Sequence, residues 1–474
     1  MFVGREQQLR ELTDRLTSVR ESTDAKPGKA VLIRGRRRVG KSRLVEEFVE
    51  RSGVPYLFYA ASRRPLHEEL QLFVDEVARS NLPGADTFRD LTVTSWDAAL
   101  RLLASATSDT GSIVVLDELP YVIAQDPAFE GTLQTVFDRI LSRHRLLLIG
   151  IGSDLAMMEA LSSYDRPFHQ RADEMVVPAL SPAEVARMLQ LEPADAFDAH
   201  LVTGGLPLIC AEWKPGQSLT DYLRSAFANP TSALLVSAER ALAAEFPSEA
   251  QARTVLGAIG SGERTFTSIG RASGVTAASL SRALSLLTDK RIVHRATPLS
   301  TKASQEARYW VADPYLRFWL EFVGPYIHEV ERGRGDRTLE RVQRSWTTWR
   351  GRAIEPIVRE AIDRLGLPLG PDGSAGVVGG YWTRKNDPEI DIVVADRAPT
   401  AKALFAVGSI KWLENAPFSR RDYDRLVEHR RQLPGATDET PLLVVSRVPT
   451  QIDDVTVLGP AELIAAWPSG DPGV

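Results

Sequence analysis

Five short apolar runs punctuate the first 180 residues: Val31 to Gly35, Pro55 to Ala61, Ser112 to Glu118, Arg145 to Ser153 and Met175 to Leu180. Between them the apolar positions fall at helical spacing, as in Lys41 to Glu50. Short apolar strands alternating with helices predict a parallel sheet covered on both faces. At Ser181-Pro182-Ala183-Glu184 the pattern changes. Serine at the N-cap, proline in the first turn and an acidic third position start a helix there, and the chain becomes mainly helical. From Ala252 to Arg295 the predicted order is helix, turn, helix, with Ser273-Gly274-Val275-Thr276 as the turn before a helix that puts Leu280, Leu284 and Leu287 on one face. Ile292–Arg295 and Arg308–Val311 then read as two wing strands. The charged stretch Glu329 to Arg344 reads as a linker or a solvated helix. A further domain follows, with a helix around Gly351–Leu365, a glycine-rich stretch at 370–380, and strands at Glu389–Val394 and Ala403–Ile410.

Composition narrows the class. At 474 residues the chain is long enough for two to four domains of about 100–200 residues each. Its 43% apolar and 25% charged residues are ordinary for a globular protein and exclude fibrous or disordered architectures. The single cysteine, Cys210, excludes an internal disulfide framework, fits a reducing cytoplasm, and reads as a small buried apolar residue. No apolar run approaches the ~20 residues that span a bilayer, and the chain opens on a polar helical segment, Arg5 to Arg20, so neither an export signal nor a membrane anchor is expected. The net charge is −5, but residues 251–350 hold 16 Lys and Arg against 9 Asp and Glu, which concentrates positive charge mid-chain.

The chemistry gathers around Gly35-Arg36-Arg37-Arg38-Val39-Gly40-Lys41-Ser42-Arg43. Two glycines at this spacing let successive backbone N–H groups turn inward around phosphate oxygens. Lys41 would contact the β and γ phosphates and Ser42 would ligate Mg²⁺, while the following helix points its positive end at the anion. The bland alternative, a solvated glycine-arginine turn, fits poorly with a strand before the loop and a helix after it. An apolar strand ending in Asp117-Glu118 supplies the second element, with Asp117 as the metal partner and Glu118 as the base that activates water. Such a pair could instead be a plain strand terminus facing solvent. Ser153, after the next strand, is a candidate sensor of the γ-phosphate. Arg171 or Arg166 is the candidate arginine for transition-state charge, from the same subunit or a neighbour.

Phe2-Val3-Gly4-Arg5-Glu6, the loop at 35–42, and Asp117-Glu118-Leu119-Pro120-Tyr121 together resemble the archaeal-type ATPases of the signal-transducing STAND branch of AAA-related NTPases. Gly204-Gly205-Leu206-Pro207 resembles that group's helical-lid motif, whose proline lies against the nucleotide base. Val3-Gly4-Arg5 matches the segment flanking the base, and Asp313 to Trp319 resembles the segment after the winged helix. The resemblance implies an α/β fold in which a P-loop NTPase parallel sheet carries a helical lid, a winged-helix domain and a C-terminal α/β nuclease-like domain. The corresponding bounds are 1–180, 181–250, 251–328, a linker at 329–350, and 351–474. It also implies ATP rather than GTP, which no residue spacing decides.

Two segments leave the output open. The helix Thr276 to Leu287, with Arg271, Arg282, Lys290, Arg291 and Arg295 around it, could enter a major groove, but its outward positions are mainly Ser and Ala, so base readout is thin. In the resembling ATPases this module more often packs as a switch. In the C-terminal domain the resemblance is to a restriction-endonuclease-type fold, whose core needs a carboxylate at one strand and Glu-x-Lys on the next. Here Glu355, Asp391 and Lys411 are the candidates, with Ser409 where the second carboxylate should be and Glu414 too far along to replace it. A degenerate module for binding or assembly is therefore favoured over a working nuclease. The expected activity is Mg²⁺-dependent ATP hydrolysis that switches a C-terminal module; an ATP-regulated nuclease and a DNA-binding regulator are the alternatives.

Overall fold

The computed structural model describes all residues except 1, 2, 154, 162, 163, 165, 167, 247, 248, 371 and 468–474. The chain divides into two units, one ending at Ala179 and one starting at Leu180. In the first, β1 (Lys29–Arg34), β2 (Tyr56–Ala60), β3 (Ser112–Asp117), β4 (Leu146–Gly152) and β5 (Ala172–Val176) lie in the order β2-β3-β4-β1-β5. All four pairings are parallel. β3 and β4 are buried along their whole length, as strands with helices on both faces must be. One face packs on Phe73, Trp96, Leu100, Phe129 and Val136 from three helices. The helix Glu6–Glu21 contributes Leu9, Leu12, Leu16 and Val19, an i, i+3, i+4 stripe.

One strand departs from expectation. β5 was expected from the apolar run that begins at Met175, but it starts at Ala172 and includes exposed Asp173 and Glu174. As an edge strand it needs no continuous apolar run. Its carboxylates take ion pairs from Arg15 at 2.9 Å and Arg34 at 3.2 Å, and charge on an edge discourages further strand pairing.

In the second unit a run of helices from Pro182 leads to three, Ala250–Gly260, Phe266–Ser273 and Ala277–Asp289, and then to the antiparallel pair β6 (Val293–Ala296) and β7 (Arg308–Val311). The segment expected to be a linker or solvated helix, 329–350, is neither open nor fully solvated. Gly335–Leu365 is a single 31-residue helix, so the boundary expected at 350 falls inside it. Its first half buries Thr338, Leu339, Val342, Trp346 and Arg350, a stripe that the density of surrounding charge obscures in sequence.

The helix leads into β8 (Val377–Trp382), β9 (Glu389–Ala395), β10 (Leu404–Lys411), β11 (Leu442–Ser446) and β12 (Thr456–Leu458), ordered β12-β11-β10-β9-β8. β8, β9 and β10 run antiparallel and β10, β11 and β12 parallel. Alternate residues face opposite layers. Ile392, Val394, Leu443 and Val445 pack with Ile354, Ile357 and Val358 of the long helix, whereas Val393, Val407 and Val444 pack under Leu426 of the helix Arg420–Gln432. Phe197 and Leu201, from the segment expected to be a separate lid at 181–250, belong to the first of these cores. The bounds expected at 250, 328 and 350 thus do not separate compact bodies. Cys210 is buried, as its sequence context suggested. Among the described residues no helix is long and apolar enough to cross a membrane.

A buried polar cluster ties the Pro193–Thr203 helix to the C-terminal sheet. Arg350, wholly buried, donates to Asp198 at 2.7 Å and to Glu414 at 2.7 Å. Arg447 donates to the same Asp198 oxygen at 2.9 Å, and the Trp412 indole reaches its other oxygen at 3.3 Å. Burial raises the Asp198 carboxyl above its ordinary range and the two guanidiniums pull it back. Removing the carboxylate would leave buried Arg350 and Arg447 with only the exposed carboxylates of Glu414 and Asp195. Asp198→Ala is therefore expected to destabilise this unit by about 3–5 kcal/mol, read as a lowered urea midpoint, and an unchanged midpoint would show that the cluster is solvated in solution.

Candidate nucleotide site

β1 ends at Arg34, and the chain turns through Gly35 to Gly40 before the helix Lys41–Ser52. A Cβ at Gly35 would lie 2.3 Å from the Val177 carbonyl oxygen, so no larger residue fits there. Gly40 caps the helix at φ 86°, a conformation that side-chain-bearing residues avoid. Arg38 nevertheless takes φ 68°, backbone strain of a kind that collects at functional loops.

The loop is braced from behind. Arg5 is 5% exposed, and its guanidinium donates to the carbonyls of Val39 at 3.0 Å and Pro178 at 2.6 Å. Gly4, at φ 76°, makes the turn that brings Arg5 in, with Val3 before it; Phe2 lies outside the described residues. The sequence had suggested that Val3-Gly4-Arg5 flanks a base. The structure adds that Arg5 makes a supporting contact to the glycine-flanked loop itself, which spacing alone could not reveal.

Lys41 is buried, and its Nζ donates to the carbonyls of Gly35 at 2.8 Å and Arg36 at 2.9 Å. Burial lowers its pKa to about 8, against the pull of Glu118 and Asp117. The ammonium still carries its charge at neutral pH, and so little solvation that an arriving phosphate gains most of the Coulomb attraction. Ser42 Oγ donates to Asp117 Oδ2 at 2.6 Å, and the Glu118 N–H donates to the other Asp117 oxygen at 2.8 Å. Burial raises the Asp117 carboxyl, while Ser42 and the Glu118 amide hold it down. Glu118 sits at φ 53°, a left-handed turn that breaks the strand and starts the helix Leu119–Gln125. Ser153, at the end of β4, donates to the Glu118 carboxylate at 3.0 Å and 3.1 Å. Ser42, Asp117, Glu118 and Ser153, separate signals in the sequence, are thus linked by hydrogen bonds at the carboxyl ends of β1, β3 and β4, with Lys41 next to Ser42.

Three arginines beside the loop behave differently from one another. Arg37 reaches the Tyr121 hydroxyl at 3.4 Å, and Arg63 stacks on the same ring with its guanidinium 3.9 Å from the centroid. Arg63 was not singled out by sequence; it follows β2, on a loop held by Glu69, whose carboxylate accepts from the Ser62 and Arg64 amides at 2.9 Å and 2.8 Å. Arg43 turns away along its helix to Glu46 and Glu47.

Arg171 is not part of this site. It precedes β5, whose first residue registers with Ala30, and it pairs with Asp138 at 2.8 Å. The loop follows the opposite end of β1, six residues on, about 20 Å away at ~3.3 Å per residue. Parallel strands dictate this placement: a residue just before a strand lies at the amino edge of the sheet, away from the carboxyl edge. Arg166 is engaged by buried Glu130 at 2.6 Å. Pro207 starts the short helix Pro207–Cys210 in the second unit.

The C-terminal candidates assemble only in part. The half-buried Asp391 on β9 accepts from Ser409 Oγ at 3.0 Å and the Ile410 N–H at 2.8 Å. Burial, then the negative charge of Glu355, pushes its carboxyl up to about 6. Glu355 is paired with Arg359 at 3.2 Å, and Lys411 is turned to Asp422 at 3.1 Å. Glu414 is committed to Arg350. Among the described residues no group of three or more His, Cys, Asp or Glu side chains gathers to hold a metal ion.

Comparison with known proteins bears on these sites. Residues 319–425 match a family of archaeal and bacterial proteins of unknown function. An uncharacterized protein of Methanocaldococcus jannaschii is 23% identical over 418 residues, covering 87% of this chain and 88% of that one. Among solved structures, a Walker-type ATPase of Pyrococcus abyssi matches 67% of this chain and 96% of its own at 18% identity and a TM-score of 0.46. The ORC2 protein of Aeropyrum pernix, in ADPNP and ADP complexes, matches 72% and 94% at 16% identity and 0.44. Residues 2–205 match the model of an ATPase domain found predominantly in Archaea, which supports an ATP-binding ATPase, and that span contains the entire network from Arg5 to Ser153.

Proposed function

We propose that this chain is a Mg²⁺-dependent ATPase of the STAND kind, in which nucleotide binding and hydrolysis set the state of a C-terminal module that binds rather than cuts. The supporting observation is the 2.6 Å contact of Ser42 with Asp117, beside Lys41 and within one residue of Glu118. A hydroxyl and a carboxylate converging on one point suit a hard cation that takes oxygen ligands, and Mg²⁺ there would neutralise phosphate charge. The loop amides and Lys41 would hold the phosphates, and Glu118 would accept the proton of the attacking water. Its hydrogen bond from Ser153 holds the carboxylate in place and offers a route by which a change at the γ-phosphate position alters the base. Pro207 is proposed to contact the base, by resemblance to the lid motif.

The helices from Ala250 to Asp289 followed by the β6–β7 pair support a winged-helix reading of 251–328. Arg271, Arg282 and Arg295 are exposed, whereas Lys290 is paired with Glu245 at 3.5 Å. In the C-terminal sheet, Ser409 occupies the position from which a carboxylate would join Asp391, and Lys411 is drawn off to Asp422. Those two departures favour binding over cleavage.

Lys41→Ala and Glu118→Gln are each expected to lower ATP turnover by at least about 100-fold, with nucleotide binding lost in the first and kept in the second. Undiminished turnover in both would end the proposal. Asp391 supplies a pH test. Its folded carboxyl titrates above the ordinary 3.8, so the stability it contributes is fully present below the unfolded value and is lost as pH rises through about 6. The carboxyl carbon resonance of Asp391 should titrate near that pH and move toward the ordinary range in Glu355→Gln; titration already in the ordinary range in the parent would mean that the two carboxylates are independent.

A further inference from the structure

The second unit contains a cleft that the nucleotide reading does not use. It lies between β7, the helix Pro314–Phe322, the long helix and β8, and five guanidiniums line it: Arg264, Arg308, Arg317, Arg352 and Arg359. Only two carboxylates pair with the five. Glu389 takes Arg308 and lies 3.8 Å from Arg264, and Glu355 takes Arg359. Among the described residues, Arg317 and Arg352 have no carboxylate within ion-pair distance.

The sequence explains why Arg317 is held there. Pro356 sits inside the long helix, and its ring nitrogen cannot donate to the carbonyl of Arg352, four residues earlier. Arg317 takes up that freed carbonyl at 3.2 Å. The helix kept its proline and gained an inward-facing cation. Burial lowers the Arg317 pKa to about 10 against the pull of Glu355, with Arg264 and Arg352 adding positive repulsion and Glu321 a weaker pull, so the side chain stays charged at neutral pH. Five guanidiniums face only Glu355, Glu389 and, beside Arg317, Glu321, so the cleft keeps an excess of positive charge that an anion would neutralise.

We propose that this arginine cleft is a binding site for a phosphoryl group. The guanidinium fork matches phosphate oxygens in pairs, and the excess of positive charge suits a dianion better than a singly charged carboxylate. The enclosed space, about 30 Å³, has room for about two waters, a size that suits one phosphoryl group better than a whole nucleotide. Whatever carries the phosphoryl must lie outside. The surface beside the cleft suits a nucleic-acid strand: Trp310 lines it, His294 packs edge-on against that ring with centroids 4.6 Å apart, and Arg295 is exposed next to it. The alternative source of the same chemistry is free phosphate.

The test uses the full chain, with inorganic phosphate read by thermal shift and a short oligonucleotide, with or without a terminal phosphate, read by fluorescence anisotropy. Arg352→Gln is the primary variant because its side chain is exposed on the helix, and Arg264→Gln is the second. Each should weaken phosphoryl binding about tenfold, the loss of one charge-assisted hydrogen bond. Lys41→Ala should leave this binding intact, which separates the cleft from the nucleotide loop, and Arg352→Gln should leave ATP turnover unchanged. Oligonucleotide binding that needs the terminal phosphate and falls in Arg352→Gln identifies a strand; a phosphate-induced shift that falls in Arg352→Gln without oligonucleotide binding identifies the free ion. If neither probe binds, if both bind equally well to Arg352→Gln and Arg264→Gln, or if binding is lost only in Lys41→Ala, the proposal is overturned.

Discussion

Every strand of a parallel sheet delivers its carboxyl end to the same edge, and in the first unit that constraint gathers the candidate nucleotide-binding groups. β3, β4 and β1 are neighbours, so Asp117-Glu118, Ser153 and the loop at 35–40 emerge side by side. Without that order Ser42 could not reach Asp117, nor Ser153 reach Glu118. The same constraint removes Arg171, which the chain delivers at the other edge. Strain is concentrated at this edge as well: Arg38 and Glu118 hold left-handed backbone conformations that an ordinary strand end would not need.

The second unit depends on a different interaction. Arg350 and Arg447 meet on the buried carboxylate of Asp198, and the three come from a helix near residue 200, the middle of the long helix, and the loop after β11. A buried ion cluster is a weak contributor to net stability but a demanding one in geometry, because each group left unpaired costs several kcal/mol. It fixes which segments must pack together, and that is why segments expected to be a lid, a linker and a terminal domain share a core. Nearby, Pro356 turns a backbone defect into a means of holding Arg317, and the long helix becomes one wall of a cationic cleft.

Local signals in the chain specify structure where the physics is local. The loop at 35–40 follows from glycine spacing between a strand and a helix; the capping box at Ser181 and Glu184 forms as its residue types require; and the sequence expects the two strands now seen at 293–296 and 308–311 to within one residue. Signals failed where a solvent-facing or buried state depends on partners distant in sequence. β5 carries charge because it is an edge, and the helix at 335–350 buries one stripe beneath many charges. Arg63 could have been suspected only from its place after the strand next to β3.

By itself the sequence determined the parallel α/β sheet, the loop with Lys41 and Ser42, the acidic pair at 117–118 and the absence of a second carboxylate at Ser409, because each is written in neighbouring residues or in a short repeat of polarity. Tertiary structure alone decided that Arg5 braces the loop, that Ser153 holds Glu118, that Lys411 turns to Asp422, and that five arginines spread over nearly a hundred residues face one cleft. Charged side chains are placed by partners that close through space, and the chain gives no local period by which to find them.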